Sequence, residues 1–118
     1  MKKIVAALAA MAMMAAPLAA AEWGTIAYSP GTGATGYSNN WPNEVDAEIT
    51  ALNGCGKHAS DCVTAVSFHD GCGALAVGSD GGWGADWGEN RAGAEWAALA
   101  RCGDYDNGCR VRRWQCSN

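Results

Sequence analysis

Hydrophobic and polar positions change period several times along this chain, and the changes mark out its elements. An unbroken apolar run from Ile4 to Ala21 follows Met1-Lys2-Lys3. Two positive charges, an Ala/Met/Leu-rich stretch and the small residues Ala19 and Ala21 have the three-part form of an export signal, with cleavage expected after Ala21. More than half of the run is alanine and Pro17 interrupts its end, which suits a cleaved leader better than a membrane span of ~20 strongly apolar residues. Beyond it, Thr25–Tyr28 and Ala74–Val77 are short apolar runs, each after a glycine and each followed by turn residues, and they predict strands. Ser29–Gly33 and Gly78–Gly82 are the expected hairpin turns, leading to second strands that hold Tyr37 and Trp83.

The period then lengthens. Val45, Ile49 and Leu52 recur at i, i+4 and i+7, as do Ala92, Trp96 and Leu99, so two helices are expected to face the core through these residues. Asn43 and Asn90 can accept hydrogen bonds from the free N–H groups of the helix starts. Gly56 and Gly103 are expected to take the left-handed conformation that ends many helices. Third strands should follow over Val63–His69 and Arg110–Gln115.

These elements repeat. Asn43–Cys62 and Asn90–Cys109 share eight of 20 positions, among them both cysteines and the glycine after the first. The reading is one small α+β domain over residues 22–118, built from two strand-strand-helix-strand units (about 23–72 and 73–118), with antiparallel sheet and two helices over its face. The repeat also limits the 15 pairings that six cysteines allow. If the halves share a geometry, Cys55 pairs with Cys62 and Cys102 with Cys109, leaving Cys72 and Cys116 to tie the halves together.

Composition narrows the function. Six cysteines in the 97 residues left after cleavage match a disulfide-stapled domain in an oxidising space, periplasmic or secreted. Losing Lys2 and Lys3 takes the formal charge from −4 to −6, which argues against a nucleic-acid partner. Arg110-Val-Arg112-Arg113-Trp114 is then a local patch, read as an edge strand whose charges discourage sheet-to-sheet pairing. Gly31-Thr32-Gly33-Ala34-Thr35-Gly36 spells a dinucleotide motif, but it lacks the following helix that such a motif needs, so it reads as a hairpin turn. The Cys55–Cys62 segment with His58 and Asp61 could bind zinc; its repeat has Tyr105 where a second histidine would be expected, which favours the disulfide. Asp104–Gly108 looks like a calcium loop without the distal glutamate. Ser67, His69 and Asp70 lie together without a nucleophile elbow. No catalytic set, metal or cofactor is expected.

Six tryptophans are many for so small a domain. Most are expected to fill a core short of Leu and Ile. Trp41, Trp83 and Trp87 lie in Gly/Asn-rich surroundings and are the candidates for exposed binding residues.

Trp23-Gly-Thr-Ile-Ala-Tyr-Ser, Gly36-Tyr-Ser, Ala51-Leu-Asn-Gly-Cys55-Gly, Asp61-Cys62-Val, Cys72-Gly-Ala-Leu-Ala, Gly82-Trp-Gly and Leu99-Ala-Arg-Cys102-Gly together resemble a bacterial exported family, domain of unknown function 4189. The resemblance runs from Trp23 to Cys116. It implies an exported, cysteine-containing single domain and supplies no catalytic residues, cofactor or substrate. The expected function is a protein-interaction module of the envelope or secretome. The alternative is a protein that binds or cleaves glycan with exposed tryptophan, which for hydrolysis needs two carboxylates from among Glu48, Glu95, Asp70 and Asp86 across a groove.

Overall fold

Each half of the chain runs strand, strand, helix, strand in a computed structural model that describes residues 21–118. The expected leader, apart from Ala21, lies outside the described residues. The first unit is β1 (Trp23–Tyr28), β2 (Thr35–Trp41), α1 (Glu44–Gly56) and β3 (Val63–His69). The second is β4 (Gly71–Val77), β5 (Trp83–Gly88), α2 (Arg91–Gly103) and β6 (Arg110–Ser117). The class is α+β, and all strand pairs are antiparallel. The strands form two three-stranded sheets, β2-β1-β3 and β5-β4-β6, so the first strand of each unit is central.

The central strands are buried along almost their whole length because both of their faces are covered, and all but Thr25 of their side chains are apolar, aromatic or cysteine. Side chains alternate between the faces of a strand. Ile26 and Tyr28 of β1 meet Leu75 of β4 and Phe68 of β3 in a core between the two sheets. The intervening Ala27 packs with Ala51 and Cys55 of α1. Cys72, Ala74 and Ala76 pack with Ala94, Ala98 and Cys102 of α2. The layers are therefore helix, sheet, sheet, helix.

The helices turn the opposite stripe inward from the one their larger residues suggest. Ala47, Ala51 and Cys55 are buried in α1, and Ala94, Ala98 and Cys102 in α2. Val45 is 65 % exposed, Ile49 51 % and Trp96 76 %, so these three are not core residues. The cause is close approach. A Cβ on Gly36 would lie 2.1 Å from the Ala51 carbonyl oxygen and 2.3 Å from the Cys55 nitrogen. A Cβ on Gly84 would lie 2.3 Å from the Cys102 nitrogen. Helix backbone rests almost directly on strand backbone, and only alanine-sized side chains fit between. Val45 precedes Ala47 by two residues, about 200° round the helix, and so points away.

The helix starts follow the expectation. Asn43 Oδ1 accepts from the Asp46 amide (2.9 Å) and Asn90 Oδ1 from the Gly93 amide (2.8 Å). The ends do not. Gly56 and Gly103 remain helical, and the capping residues Lys57 and Asp104 keep right-handed φ values of −70° and −72°. Each helix instead ends where its last turn is crosslinked to the following loop.

All three disulfides join the expected partners: Cys55–Cys62, Cys102–Cys109 and Cys72–Cys116. Cys55–Cys62 and Cys102–Cys109 have the same Cα–Cα distance, 6.1 Å, as expected for copies of one unit. Cys72–Cys116 does not tie the halves together. Cys72 lies in β4 and faces Cys116 of β6, so this bridge spans neighbouring strands of the second sheet. The halves are joined through the Ile26–Leu75 core and by polar bonds from β6. Arg112 Nη2 donates to the Gly33 carbonyl (2.7 Å), and the Asn40 amide donates to Ser117 Oγ (2.7 Å).

Candidate functional site

Two concave surfaces are built by this packing. The first is a cleft of about 310 Å³ lined by Trp23, Glu44, Ser67, Phe68, His69 and Trp87. Trp23 opens β1, and its cross-strand neighbours are Trp41 on β2 and His69 on β3. Its indole packs on the His69 ring with centroids 4.7 Å apart. Glu44 comes from the first turn of α1, and Trp87, 57 % exposed, comes from β5 of the other unit. The cleft is thus shared by both halves and has aromatic walls with one carboxylate.

The second surface is an open groove of about 540 Å³ beside β5 and the end of α2, lined by Ala65, Trp83, Ala85, Arg101, Asp104 and Tyr105 among others. Arg101 Nε donates to Asp86 Oδ2 (2.8 Å), which raises the guanidinium above its ordinary value. Trp83 is half-buried, edge-on to Tyr28 with centroids 5.5 Å apart, and belongs partly to the inter-sheet core.

The three tryptophans singled out from sequence do not converge. Trp83 lines the groove, Trp87 lines the cleft, and Trp41 stands at the edge of the first sheet beside Trp23. The general expectation that tryptophan fills the core is corrected: Trp41, Trp87, Trp96 and Trp114 are exposed. Alanine and glycine make the sheet–helix layers thin and closely packed, and only Trp83 of the three singled-out tryptophans packs into the core, between the two sheets. Trp23 and Glu44 were not anticipated as lining residues. The one signal was the position of Trp23 at the head of a strand that pairs on both sides.

The remaining motifs have structural employment. Ser67 Oγ lies 2.9 Å from Thr25 Oγ1 and donates to Glu48 Oε1 (3.2 Å), while His69 Nδ1 faces Asp70 Oδ2 at 3.2 Å. Ser67 and His69 are therefore engaged with different partners. Asp61 accepts from the Ser29 hydroxyl and the Gly31 amide, so it holds the glycine-rich turn after β1. Those bonds keep its carboxyl below the ordinary range. Asp106, within the calcium-like segment, does the same for the turn after β4, accepting from the Asp80 and Gly82 amides at 2.9 and 2.8 Å. Cys55, Cys62, Cys102 and Cys109 are oxidised and offer no thiolate to a metal. Arg113 lies over the Tyr37 ring at 4.0 Å, and Arg91 over Trp114 at 3.9 Å, so these cations are engaged within the molecule.

Carboxylates are likewise dispersed. Glu95 pairs with Arg91, Asp86 with Arg101, Asp70 with His69, and Glu48 with Ser67. Each concavity is lined by one carboxylate, Glu44 in the cleft and Asp104 in the groove.

Comparison with known proteins agrees with the resemblance read from the residues. A family model described as "Domain of unknown function (DUF4189)" matches residues 23–116. The NMR structure of Rv1813c from Mycobacterium tuberculosis is similar over 85 % of this chain and 78 % of that one, with 31 % identity and a TM-score of 0.61. Among curated proteins, none matches the chain.

Proposed function

The chain belongs to the DUF4189 family, and from that premise we propose that it is an exported, non-catalytic protein-interaction module. One observation carries the reading: both helices bury alanines and present their larger apolar side chains, Val45, Ile49 and Trp96, to solvent. Tryptophan is among the residue types enriched at the energetic centre of protein interfaces. Export is supported by the three disulfides, which persist in oxidising compartments. Among the described residues no helix is long and apolar enough to cross a membrane.

Site-specific photo-crosslinking tests this. A benzophenone side chain placed at Trp96 or Ile49 in the exported protein should give a discrete protein adduct, and one at the exposed Asp80, in the turn after β4, should not. Equal labelling at all three positions would reject the proposal.

The cleft favours a second reading, glycan binding. A sugar ring can stack on Trp87 while Glu44 and His69 accept or donate hydrogen bonds at its rim. Titration with peptidoglycan fragments should then quench or blue-shift tryptophan emission, and Trp87→Ala should abolish the change. A flat titration would remove this reading.

A further inference from the structure

The backbone nitrogen of Glu22 donates to Asp70 Oδ1 at 3.0 Å, and the Asp70 nitrogen returns a bond to the Glu22 carbonyl, also at 3.0 Å. Asp70 occupies the short connection between β3 and β4, where the first unit passes into the second. Its φ is +50°, a left-handed conformation that glycine or asparagine adopts more readily. Aspartate at this position brings a negative charge that the backbone shape does not require. His69 Nδ1 lies 3.2 Å from the other carboxylate oxygen, and the His69 ring packs on Trp23, the residue next to Glu22.

The leader motif places its cleavage point at the same nitrogen. Ala19 and Ala21 are the small residues that such cleavage requires, and Glu22 follows. An export endopeptidase adds water across the Ala21–Glu22 amide. Ala21 leaves with a new carboxylate, and Glu22 keeps its nitrogen as an ammonium. In the precursor that nitrogen is a neutral amide donor to Asp70. In the processed chain it carries a full charge against the same oxygen.

We propose that the α-ammonium created on Glu22 by processing is the ionic partner of Asp70, and that this pair, formed only in the mature chain, fastens the start of β1 to the junction of the two units. The pair lies beside the Trp23–His69 wall of the aromatic cleft, since His69 Nδ1 faces the other Asp70 oxygen. This rests on the exported part of the function proposed above and adds a role for the new terminus.

The test compares two oxidised proteins, one beginning at Glu22 and the other identical but acetylated on that nitrogen. Acetylation keeps the donor and removes the charge. Both groups of the pair are partly exposed, so the unfolding equilibrium constant of the acetylated form should be about threefold larger at low salt. The difference should shrink in 1 M salt, where screening acts over about 3 Å. In Asp70→Asn, which keeps a residue at ease in the left-handed conformation, acetylation should have no such effect. NMR titration of the native protein should place the α-amino group above its ordinary range of about 7.7–8.0. An equal acetylation effect in Asp70→Asn, or an unshifted amino group, would overturn the proposal. Intact mass of the exported protein should correspond to a Glu22 start. Retention of the leader would overturn both this pair and the exported reading, whereas a Glu22 start with no charge effect would overturn the pair alone.

Discussion

Adding one methyl group at Gly36 should cost more than removing most surface side chains. The Cβ of Gly36→Ala would sit 2.1 Å from the Ala51 carbonyl oxygen and 2.3 Å from the Cys55 nitrogen, both backbone atoms of α1. Ordinary contact needs roughly 3.5 Å, so the helix must retreat by on the order of 1 Å. It cannot turn aside freely, because Cys55 is bonded to Cys62 and Ala51 is fully buried against the sheet. Overpacking of this kind typically costs about 1–3 kcal/mol, and contact with backbone on a crosslinked helix places Gly36→Ala near 3 kcal/mol. Gly84→Ala should behave alike, since its Cβ would meet Cys102 and Arg101 backbone at 2.3 and 2.6 Å. Gly56→Ala is the contrasting case. Nothing lies within 4 Å of a Cβ there, and the residue is not left-handed. It should therefore stabilise by about 0.4–1 kcal/mol through the unfolded chain. Urea unfolding of the oxidised proteins, followed by tryptophan fluorescence, measures all three. A Gly36→Ala protein as stable as the parent, or a clear loss in Gly56→Ala, would refute the close-approach reasoning.

Trp96→Ala should change stability by no more than about 0.5 kcal/mol in the same assay, as for other surface positions, whereas a core indole would cost about 3–5 kcal/mol. Replacing both Cys55 and Cys62 by serine should remove roughly 2.5 kcal/mol, and replacing both Cys72 and Cys116 roughly 4 kcal/mol, because the second pair closes the longer loop. The carboxyls of Asp61 and Asp106 are held below the ordinary carboxylate range in the folded chain. Asp61 is held there first by the Ser29 hydroxyl and Asp106 first by the Asn107 amide. Depressed carboxyls contribute stability that is complete above the unfolded value and lost as pH falls through the folded one. Urea midpoints between about pH 2 and pH 6 should therefore drop toward acid, and Asp61→Asn with Asp106→Asn should flatten that drop.

Much of the fold was legible because it is duplicated. The match of Cys55/Cys62 to Cys102/Cys109 selected those two disulfides, and the third followed by elimination. The first strand of each unit was readable from a glycine-led apolar run, the second from the turn before it and the third from its place after the helix. The orientation of the helices was not. Val45-Ile49-Leu52 at i, i+4, i+7 and Ala47-Ala51-Cys55 at i, i+4, i+8 both mark one helix face, so period alone does not choose between them; size pointed to Val45 and Ile49, which are exposed, whereas Leu52 does pack at the edge of the core. What decides is Gly36 on a different element, whose missing side chain lets the alanine stripe seat. The unit boundary shifted for a related reason. The repeat puts Cys72 at the end of the first unit, but Asp70 turns the chain with a positive φ, and Cys72 already belongs to β4. The aromatic cleft was the least legible part, because Trp23, Glu44, His69 and Trp87 come from four elements and both units.

The arrangement stands or falls on which surfaces of the two sheets meet. Nuclear Overhauser contacts among side chains in the oxidised protein read this directly. The account predicts cross-peaks from the Ile26 methyls to the Leu75 methyls and the Phe68 ring, with Ala47 and Ala51 methyls seen from the outer face of β1 and β2. Cross-peaks from Ile26 or Leu75 to the Trp96 indole, without any between Ile26 and Leu75, would mean that the helices pack by their large residues and that the sheets do not lie back to back.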